Sequence, residues 1–312
     1  MDYRPYRCYS SSMALSSLQK PSWIRVKVPA GETWKQVSEV LEKHSLHTVC
    51  DEARCPNKGE CWGAKTAAFM ILGDTCTRSC RFCAVSAARQ GLEPRSDEGG
   101  AIALAAQELG LTYLVLTTVN RDDLPDRGAG HFASCIAALK QALPGILMEV
   151  LIPDYNKAEI APLAAAMPDV LAHNVETVRS LQWVRDHRAS FDKSLDTLRS
   201  AKILDIGVTK TSLLLGLGET EDEVLAAMDE LREAGVDILV MGQYLQPSKK
   251  QIPVAEYLSP EQFEAYSQAG RNRGFASVIS SPFARTSYHA LDAWKEREIA
   301  IPSSRRMSGR AD

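Results

Sequence analysis

Three cysteines, Cys76, Cys80 and Cys83, follow one another with the spacing Cys-x3-Cys-x2-Cys. They come directly after an apolar run, residues 67–72, that we predict to be a β-strand. Three thiolates from one short loop can bind three irons of a four-iron cubane and leave the fourth iron without a protein ligand. The amino and carboxylate groups of a small molecule can chelate such an iron. A half zinc ribbon or a closed ferredoxin-like site would need a further suitably spaced cysteine, and none accompanies this group.

A second group lies upstream, where Cys50, Cys55 and Cys61 have the spacing Cys-x4-Cys-x5-Cys. Pro56, Asn57 and Gly59 are turn-forming residues, so we expect a loop here. Three thiolates are again available, which predicts a second cubane with one unusual iron. A purely structural cluster is the alternative interpretation of this group.

The two remaining cysteines have a different character. Cys135 lies in a helical pattern over residues 131–143 and is expected to be a small buried apolar residue. Cys8 lies in an unpatterned stretch and receives no role. Because the chain is long and no signal peptide is evident, the cysteines read as metal ligands or catalytic thiols rather than as a disulfide framework.

The composition limits the classes of partner. The chain has 312 residues, of which 45% are hydrophobic and 24% charged, and its formal net charge is -3. These values predict a folded globular protein without a global basic field, so nucleic acid and membrane surfaces are not expected as main partners. No run approaches the roughly 18 apolar residues of a membrane span. We expect a monomer in the cytoplasm, with an organelle as the minor alternative.

The elements that must position the cysteines alternate between predicted β-strands and predicted α-helices. The apolar runs are residues 67–72, 113–118, 146–152, 170–174, 208–215 and 238–241. Helical patterns lie at residues 98–109, 192–202, 221–234 and, after the last run, 260–273. Strand and helix in alternation imply right-handed crossovers and a parallel sheet. The predicted class is α/β, with a partial (β/α)6 barrel.

Four regions are predicted along the chain. Residues 1–30 read as a disordered tail, with Met13 as an alternative start, and residues 31–66 as an N-terminal extension that begins with a helix over 33–43. Residues 67–274 form the barrel, and residues 275–312 a C-terminal segment. Polar clusters follow the apolar runs, and the carboxyl ends of parallel strands build active sites. We therefore expect the chemistry at one end of the barrel.

The loop with Cys76, Cys80, Phe82 and Cys83 resembles the signature of the radical S-adenosylmethionine superfamily. The resemblance implies that a 4Fe–4S cluster here binds S-adenosylmethionine, with Phe82 beside it. It also implies roles for three later loops. The Gly216 and Gly218 turn would approach the adenine or methionine moiety, although an ordinary strand-to-helix turn is the alternative. Asn174 and Glu176 would bind the ribose or the methionine end, and Arg121 would orient cofactor or substrate unless it is merely solvated.

The stretch Cys55-Pro-Asn-Lys-Gly-Glu-Cys61-Trp62 resembles the lipoyl synthases, and the resemblance extends over residues 49–290. It implies two 4Fe–4S clusters, the auxiliary one held by Cys50, Cys55 and Cys61 and consumed as sulfur donor. The implied reaction inserts sulfur at carbons six and eight of an octanoyl chain on a carrier lysine, and uses two molecules of S-adenosylmethionine. The implied partners are an octanoylated lipoyl carrier domain and an electron donor such as ferredoxin or flavodoxin. Biotin synthases and methylthiotransferases are alternatives that the cysteine spacing disfavours, and a non-enzymatic iron–sulfur or zinc scaffold is a third.

The C-terminal stretch Arg285-Thr-Ser-Tyr288 resembles the Arg-Ser-Ser-Tyr motif of that family, whose second serine ligates iron. The resemblance implies Ser287 as the fourth ligand of the auxiliary cluster. Thr286 departs from the motif, and we expect its loss to be tolerated. Further departures are Ser281 in place of Gly and Arg179-Ser180 in place of Pro-Arg. Lys249 and Lys250 could meet an acidic carrier domain or simply be solvated.

Overall fold

The computed structural model describes residues 19–26, 31–64 and 66–300. Most of the predicted tail, including Cys8 and Met13, and the last part of the C-terminal segment lie outside these residues. Within the described part of the tail, the Ile24 amide bonds to the Pro21 carbonyl oxygen at 3.0 Å, and the Ile24 side chain is buried.

An open sheet forms the centre of the fold. The strands of the described residues are β1 (His47–Thr48), β2 (Ala68–Ile71), β3 (Thr75–Cys76), β4 (Ser86–Ala87), β5 (Tyr113–Thr118), β6 (Leu147–Leu151), β7 (Val170–Ala172), β8 (Thr209–Leu215), β9 (Ile238–Gln243) and β10 (Ser277–Ser281). Eight of them make one sheet in the order β1-β2-β5-β6-β7-β8-β9-β10, while β3 and β4 pair separately. Only β1 is antiparallel to its neighbour in the large sheet. All six predicted strands are confirmed, as is the partial parallel barrel.

Helices connect the parallel strands. Those of the described residues are α1 (Glu32–Lys43), α2 (Val49–Glu52), α3 (Lys58–Gly63), α4 (Glu98–Leu109), α5 (Ala129–Ala142), α6 (Lys157–Ala165), α7 (Phe191–Ile203), α8 (Glu221–Glu233), α9 (Pro260–Asn272) and α10 (Ala290–Ala300). Local signals set several of their starts. Thr220 and Glu223 form a reciprocal capping box at α8, and Ser259 caps α9 with Pro260 in its first turn. The predicted helices agree with these bounds within one or two residues.

Two features differ from the sequence prediction. The expected loop around the upstream cysteines contains two short helices, with Cys50 in α2, Cys61 in α3 and Cys55 between them. The Thr48 side chain caps α2 by accepting from the Asp51 amide, so local capping makes a helical turn where turn residues predicted a loop. In addition, β10 extends the parallel sheet beyond six strands. The predicted six-strand barrel and the predicted C-terminal segment over 275–312 are therefore corrected, since residues 277–281 form a seventh parallel strand.

Side chains alternate between the barrel interior and the surrounding helices. On β8, Lys210 and Ser212 point inward, whereas Leu213 and Leu215 pack in the helix-covered core. Inside the barrel, the Lys210 ammonium lies 2.8 Å from the Glu149 carboxylate, and both side chains are fully buried. Tyr113 donates to the same carboxylate at 2.8 Å. A fully paired polar group thus occupies part of the interior.

The C-terminal segment crosses the barrel and joins the N-terminal extension. A Cβ at Gly242 would collide with the Ala284 carbonyl, so glycine on β9 allows the segment to approach the strand. Asn57 donates to the Phe283 carbonyl oxygen at 2.6 Å, and Tyr288 donates to Glu60 at 2.8 Å. Helix α10 then covers the amino ends of the strands, where Ala293 and Trp294 pack with a group of strand-start residues, Val170, Val208 and Ile238. The N-terminal extension and the C-terminal segment are therefore packed against each other.

Candidate active site

The downstream cysteine loop leaves the carboxyl end of β2 and carries three thiols that accept backbone hydrogen bonds. The Arg78 amide donates to Cys76 Sγ at 3.4 Å, and the Asp186 amide donates to Cys80 Sγ at 3.3 Å. The Cys83 thiol accepts from the Val85 amide. Amide donors to sulfur stabilise thiolate charge and tune iron–sulfur centres. The donor set is three soft sulfur ligands with matching amides, which fits an iron–sulfur cluster.

An ion-pair network joins this loop to the residues that follow β5 and β6. Arg78 is buried and lies 2.9 Å from Asp122 and 2.8 Å from Asp154. The Thr77 amide donates to the Asn120 carbonyl oxygen at 2.8 Å, and its hydroxyl donates to Asp122 at 2.8 Å. Because these contacts come from the ends of β5 and β6, the sheet itself positions the cysteine loop.

Two thiols of this loop, those of Cys80 and Cys83, are unfavourable to ionise in the absence of a cation. Burial raises the pKa of Cys80 to about 11, and proximity to Glu176 and Cys76 contributes to the rise. Burial likewise raises the pKa of Cys83 to about 12, with Cys80 and Cys76 as further causes. The mutual repulsion means that the thiol groups lie close together. A bound iron ion would reverse the effect, since coordination favours the thiolate.

The upstream cysteines and Ser287 line the same cavity as Cys83. The cavity has a volume of about 250 Å³ and is lined by Cys50, Cys55, Cys61, Cys83 and Ser287 among other residues. The Ser287 hydroxyl makes no hydrogen bond within the part of the chain that the structure describes. The structure therefore brings the three upstream cysteines and Ser287 to the same cavity as Cys83, whereas Cys76 and Cys80 do not line it.

The upstream group also fits an iron–sulfur cluster. Burial raises the pKa of Cys50 to about 11, and Cys55 adds to it, while burial and both neighbouring thiols raise the pKa of Cys61 to about 12. The Trp62 indole lies against Cys50, yet its buried Nε1 has no hydrogen-bond partner of normal geometry in the described residues. Buried donors are rarely left unpaired. Thiolate or sulfide sulfur of a bound cluster would supply the missing acceptor.

Asn174 and Glu176 lie at the cavity, where β7 ends. Glu176 adopts a left-handed conformation with φ of 67°. This strained backbone is held by two bonds to β8, from the Glu176 amide to the Ser212 carbonyl oxygen at 3.1 Å and from the Leu214 amide to the Glu176 carbonyl oxygen at 2.7 Å. Burial raises the pKa of the Glu176 carboxyl, while Arg185 and a hydrogen bond from Asn174 lower it. The partly buried Glu176 is thus held at the wall of the cavity.

Arg285 is a site residue to which the sequence interpretation gave no chemical role. Its guanidinium interacts electrostatically with the Cys55 thiol and with Glu176, so it lies between the two predicted cluster regions. It donates to the Ala284 carbonyl oxygen at 2.6 Å. The motif Arg285-Thr-Ser-Tyr288 was the available signal, but it did not indicate what the arginine contacts.

Three predicted cofactor contacts are not brought to the cavity. Arg121 is 2% exposed, and its guanidinium bonds to Asp123 at 2.8 Å and to the Leu72 carbonyl oxygen at 3.1 Å. It braces the end of β2 rather than facing the cavity. Gly216 packs against Gln243 and Glu256, and Gly218 lies near Ala255, so neither glycine lines the cavity. Their neighbour Leu217 does pack in an apolar cluster with Phe82, and Phe82 lines the cavity.

Cys135 is buried, as the sequence predicted. Its sulfur lies 3.5 Å from His131 Nε2, and His131 in turn lies 2.7 Å from a carboxylate oxygen of Glu98. Burial raises the pKa of the Cys135 thiol to about 12, with the nearby Glu98 as a further cause. Because Glu98 lies on α4 and His131 lies on α5, their hydrogen bond joins the two helices. Glu98 also accepts from the Leu72 amide at 3.1 Å.

The fold and the three-cysteine loop together define a radical S-adenosylmethionine enzyme, and a sequence model of the Radical SAM superfamily matches residues 70–242. A second model, the N-terminal domain of lipoyl synthase, matches residues 8–55. The chain belongs to the lipoyl synthase family. It is 49% identical over 283 residues to the mitochondrial lipoyl synthase of Picea sitchensis, covering 88% of this chain and 73% of that one. It is 50% identical over 285 residues to the lipoyl synthase of Anaeromyxobacter dehalogenans (strain 2CP-C), covering 90% and 97%.

Solved structures share the fold at low sequence identity. Methylornithine synthase aligns with a TM-score of 0.55 and 16% identity, over 74% of this chain and 68% of that one. The FeFe-hydrogenase maturase HydG from Carboxydothermus hydrogenoformans aligns with a TM-score of 0.56 and 18% identity, over 73% and 56%. The predicted cofactors, 4Fe–4S clusters and S-adenosylmethionine, are those of this family. Among the described residues, no helix is long and apolar enough to cross a membrane.

Proposed function

We propose that this chain is a lipoyl synthase in which Cys76, Cys80 and Cys83 hold the cluster that binds S-adenosylmethionine, and Cys50, Cys55, Cys61 and Ser287 hold the auxiliary cluster. The family activity is insertion of two sulfur atoms at carbons six and eight of a protein-bound octanoyl-lysine. When bound, the first cluster supplies the electron that cleaves S-adenosylmethionine, and the second supplies the sulfur. The observation that carries this assignment is that ligands from both groups line one cavity.

The protein side chains position the reactants in this assignment. Asn174 and Glu176 offer an amide and a partly buried carboxylate for the polar groups of S-adenosylmethionine, in the cavity that Phe82 also lines. Arg285 carries positive charge between that region and Cys55, which offsets the negative charge of thiolate-bound clusters on both sides. No proton transfer is required of these groups.

Apolar side chains of the barrel fit the acyl substrate. Leu151, Leu214 and Val240 line the cavity from β6, β8 and β9. An unbranched alkyl chain has no hydrogen-bonding group, so binding depends on burial against such side chains, at about 0.8 kcal/mol per methylene. The same walls exclude water, which would otherwise compete around a reactive carbon radical. This supports an octanoyl chain in the cavity.

The test separates the roles of the two cysteine groups. Cys80→Ala should abolish deoxyadenosine formation in anaerobic, cluster-reconstituted protein, because the cofactor loses its iron site. Cys61→Ala should retain deoxyadenosine formation but give no lipoyl product from an octanoylated peptide. Cys135→Ala, a buried cysteine outside the cavity, is the matched control and should retain both activities. Lipoyl product from Cys61→Ala would rule out the proposed sulfur donor.

The proposed function also implies two protein partners, and it leaves two possible cellular compartments. An octanoylated lipoyl carrier domain is the substrate protein, and a one-electron carrier such as ferredoxin or flavodoxin is the reductant. The Picea sitchensis relative is named mitochondrial and the Anaeromyxobacter relative is bacterial. We keep the cytoplasm as the predicted compartment, with an organelle as the alternative. Fractionation of the native cells would distinguish the two.

A further inference from the structure

An exposed basic and aromatic surface surrounds the cysteine loop on its outer side. We call it the loop rim and define it by Arg81, Trp183, Lys249 and Lys250. All four side chains are exposed, and Trp183 has 55% of its surface open to solvent. The Arg81 guanidinium stacks over the Trp183 ring at 5.2 Å. Within residues 19–26, 31–64 and 66–300, none of the three cations forms an ion pair.

The loop rim is attached directly to the cluster-binding loop. On one side, the Arg81 amide donates to the Val184 carbonyl oxygen at 2.7 Å, next to Trp183. On the other side, the Gln251 side chain donates to the Cys83 carbonyl oxygen at 3.0 Å, next to Lys250. Two separate segments of the chain therefore present their charged and aromatic side chains around Cys80 and Cys83.

The cations and the tryptophan of the loop rim differ from an ordinary solvated surface in their charge balance and composition. The chain as a whole is acidic, with a formal charge of -3, yet the rim presents three cations without acidic partners in the described structure. Tryptophan and arginine are the residues most enriched at the centres of protein interfaces. Unpaired cations steer an acidic partner and increase its association rate. The rim thus has the composition of a docking surface for an acidic protein.

We propose that the loop rim is the docking surface for a reduced one-electron carrier protein with an acidic face. The inference rests on the proposed function, which needs one electron for each S-adenosylmethionine cleaved. In that step the carrier is oxidised by one electron and S-adenosylmethionine is reduced. Its sulfur–carbon bond breaks to methionine and a 5′-deoxyadenosyl radical, and no proton is transferred. Docking here places the carrier against the loop that binds the cluster.

The test compares two reductants in one assay. The double variant Lys249→Glu/Lys250→Glu is measured for deoxyadenosine formation with reduced flavodoxin or reduced 2Fe–2S ferredoxin, and separately with dithionite. We expect the KM for the carrier protein to rise about 10-fold, because charge reversal opposes an acidic partner. The rate with dithionite should stay within about 2-fold of wild type, since a small reductant needs no docking surface. Trp183→Ala should raise the same KM, and Lys295→Glu, an exposed cation on α10 at the opposite end of the barrel, should not.

Binding gives a second measurement that does not depend on turnover. Oxidised carrier protein is titrated onto the immobilised, reconstituted enzyme, and the double variant should lose affinity by a similar factor. The proposal is overturned if neither carrier supports wild-type turnover, or if the carrier KM and affinity are unchanged in the double variant. It is also overturned if the variant instead raises the KM for an octanoylated carrier domain with dithionite as reductant. Lack of lipoyl product by wild type with dithionite would point instead to failure of the proposed function.

Discussion

The Thr286 hydroxyl donates a 2.9 Å hydrogen bond to the amide oxygen of Asn174, a residue 112 positions earlier in the chain. The same hydroxyl lies 3.1 Å from that of Ser212 on β8. With its oxygen fixed, Asn174 directs its amide NH2 to the Glu176 carboxylate. The C-terminal segment that carries Ser287 therefore orients the side chains proposed to bind S-adenosylmethionine. The sequence alone predicts that Thr286→Ala retains most turnover.

Thr286→Val should weaken binding of S-adenosylmethionine, because it keeps the shape of the side chain and removes the hydroxyl. Loss of one buried hydrogen bond costs about 1 kcal/mol, so we expect the Kd to rise roughly 3- to 10-fold. Calorimetric titration of the reconstituted, unreduced protein measures this directly. Thr286→Ser retains the hydroxyl and should bind like wild type. Equal affinity of the valine and serine variants would show that Asn174 is oriented without Thr286.

Ser287→Ala should leave deoxyadenosine formation measurable and remove lipoyl product. A serine oxygen is a harder ligand than thiolate, and its ready displacement suits a cluster that must release sulfide. The readouts are iron content and product analysis in anaerobic single-turnover assays. Ser287→Cys should retain iron but slow product formation. Ser281→Ala, in the same segment, should have little effect, and full product from Ser287→Ala would remove the proposed ligand.

Lys210→Met should destabilise the protein by about 3–5 kcal/mol, because it leaves the Glu149 carboxylate buried without its cation. Replacing both partners, in Lys210→Met/Glu149→Leu, should recover much of the loss, since no uncompensated charge remains. Urea unfolding of the single and double variants at one pH measures the difference. If the single variant unfolds at the wild-type urea concentration, the pair contributes little.

The stability of the fold should decrease as the pH falls below about 6.5, partly through His173. Burial lowers the pKa of this histidine from 6.5 to about 4, with Arg185 as a further cause. Its Nδ1 faces the Ile152 carbonyl oxygen at 2.9 Å and its Nε2 faces Ser194 at 2.9 Å, which suits a neutral ring. Because the folded-state pKa lies below the unfolded one, the stabilisation is complete above pH 6.5 and is lost between about 6.5 and 4.

The measurement for His173 is urea unfolding of apoprotein at pH 7.5 and 4.5. Wild type should lose about 2–3 kcal/mol more between these values than His173→Gln, which cannot titrate there. Other carboxylates titrate in both proteins and cancel in the comparison. Identical pH dependence in the two proteins would mean that His173 is already uncharged in the unfolded chain or charged in the fold.

Local patterns in the sequence determined the positions of the strands and helices, and they predict the two cysteine triads as cluster ligands. Cys76, Cys80 and Cys83 lie within one loop, so their spacing alone limits which metal centre they can hold. Strand positions follow from apolar runs, and helix starts from caps such as Thr220 with Glu223. These signals depend on residues that are close along the chain, which is why the predicted strands and helices are confirmed, while the cluster ligands stay a prediction.

Only the tertiary structure decided which distant residues share the cavity. Arg121 follows a strand as the site residues do, yet it pairs with Asp123 beneath the loop instead of facing the cavity. Asn57 and Phe283 meet across 226 positions, and this contact joins the two chain extensions that bring Ser287 toward Cys61. Such contacts depend on how the sheet curves and where Gly242 admits the returning segment, because the side chains involved have no periodic relationship along the chain.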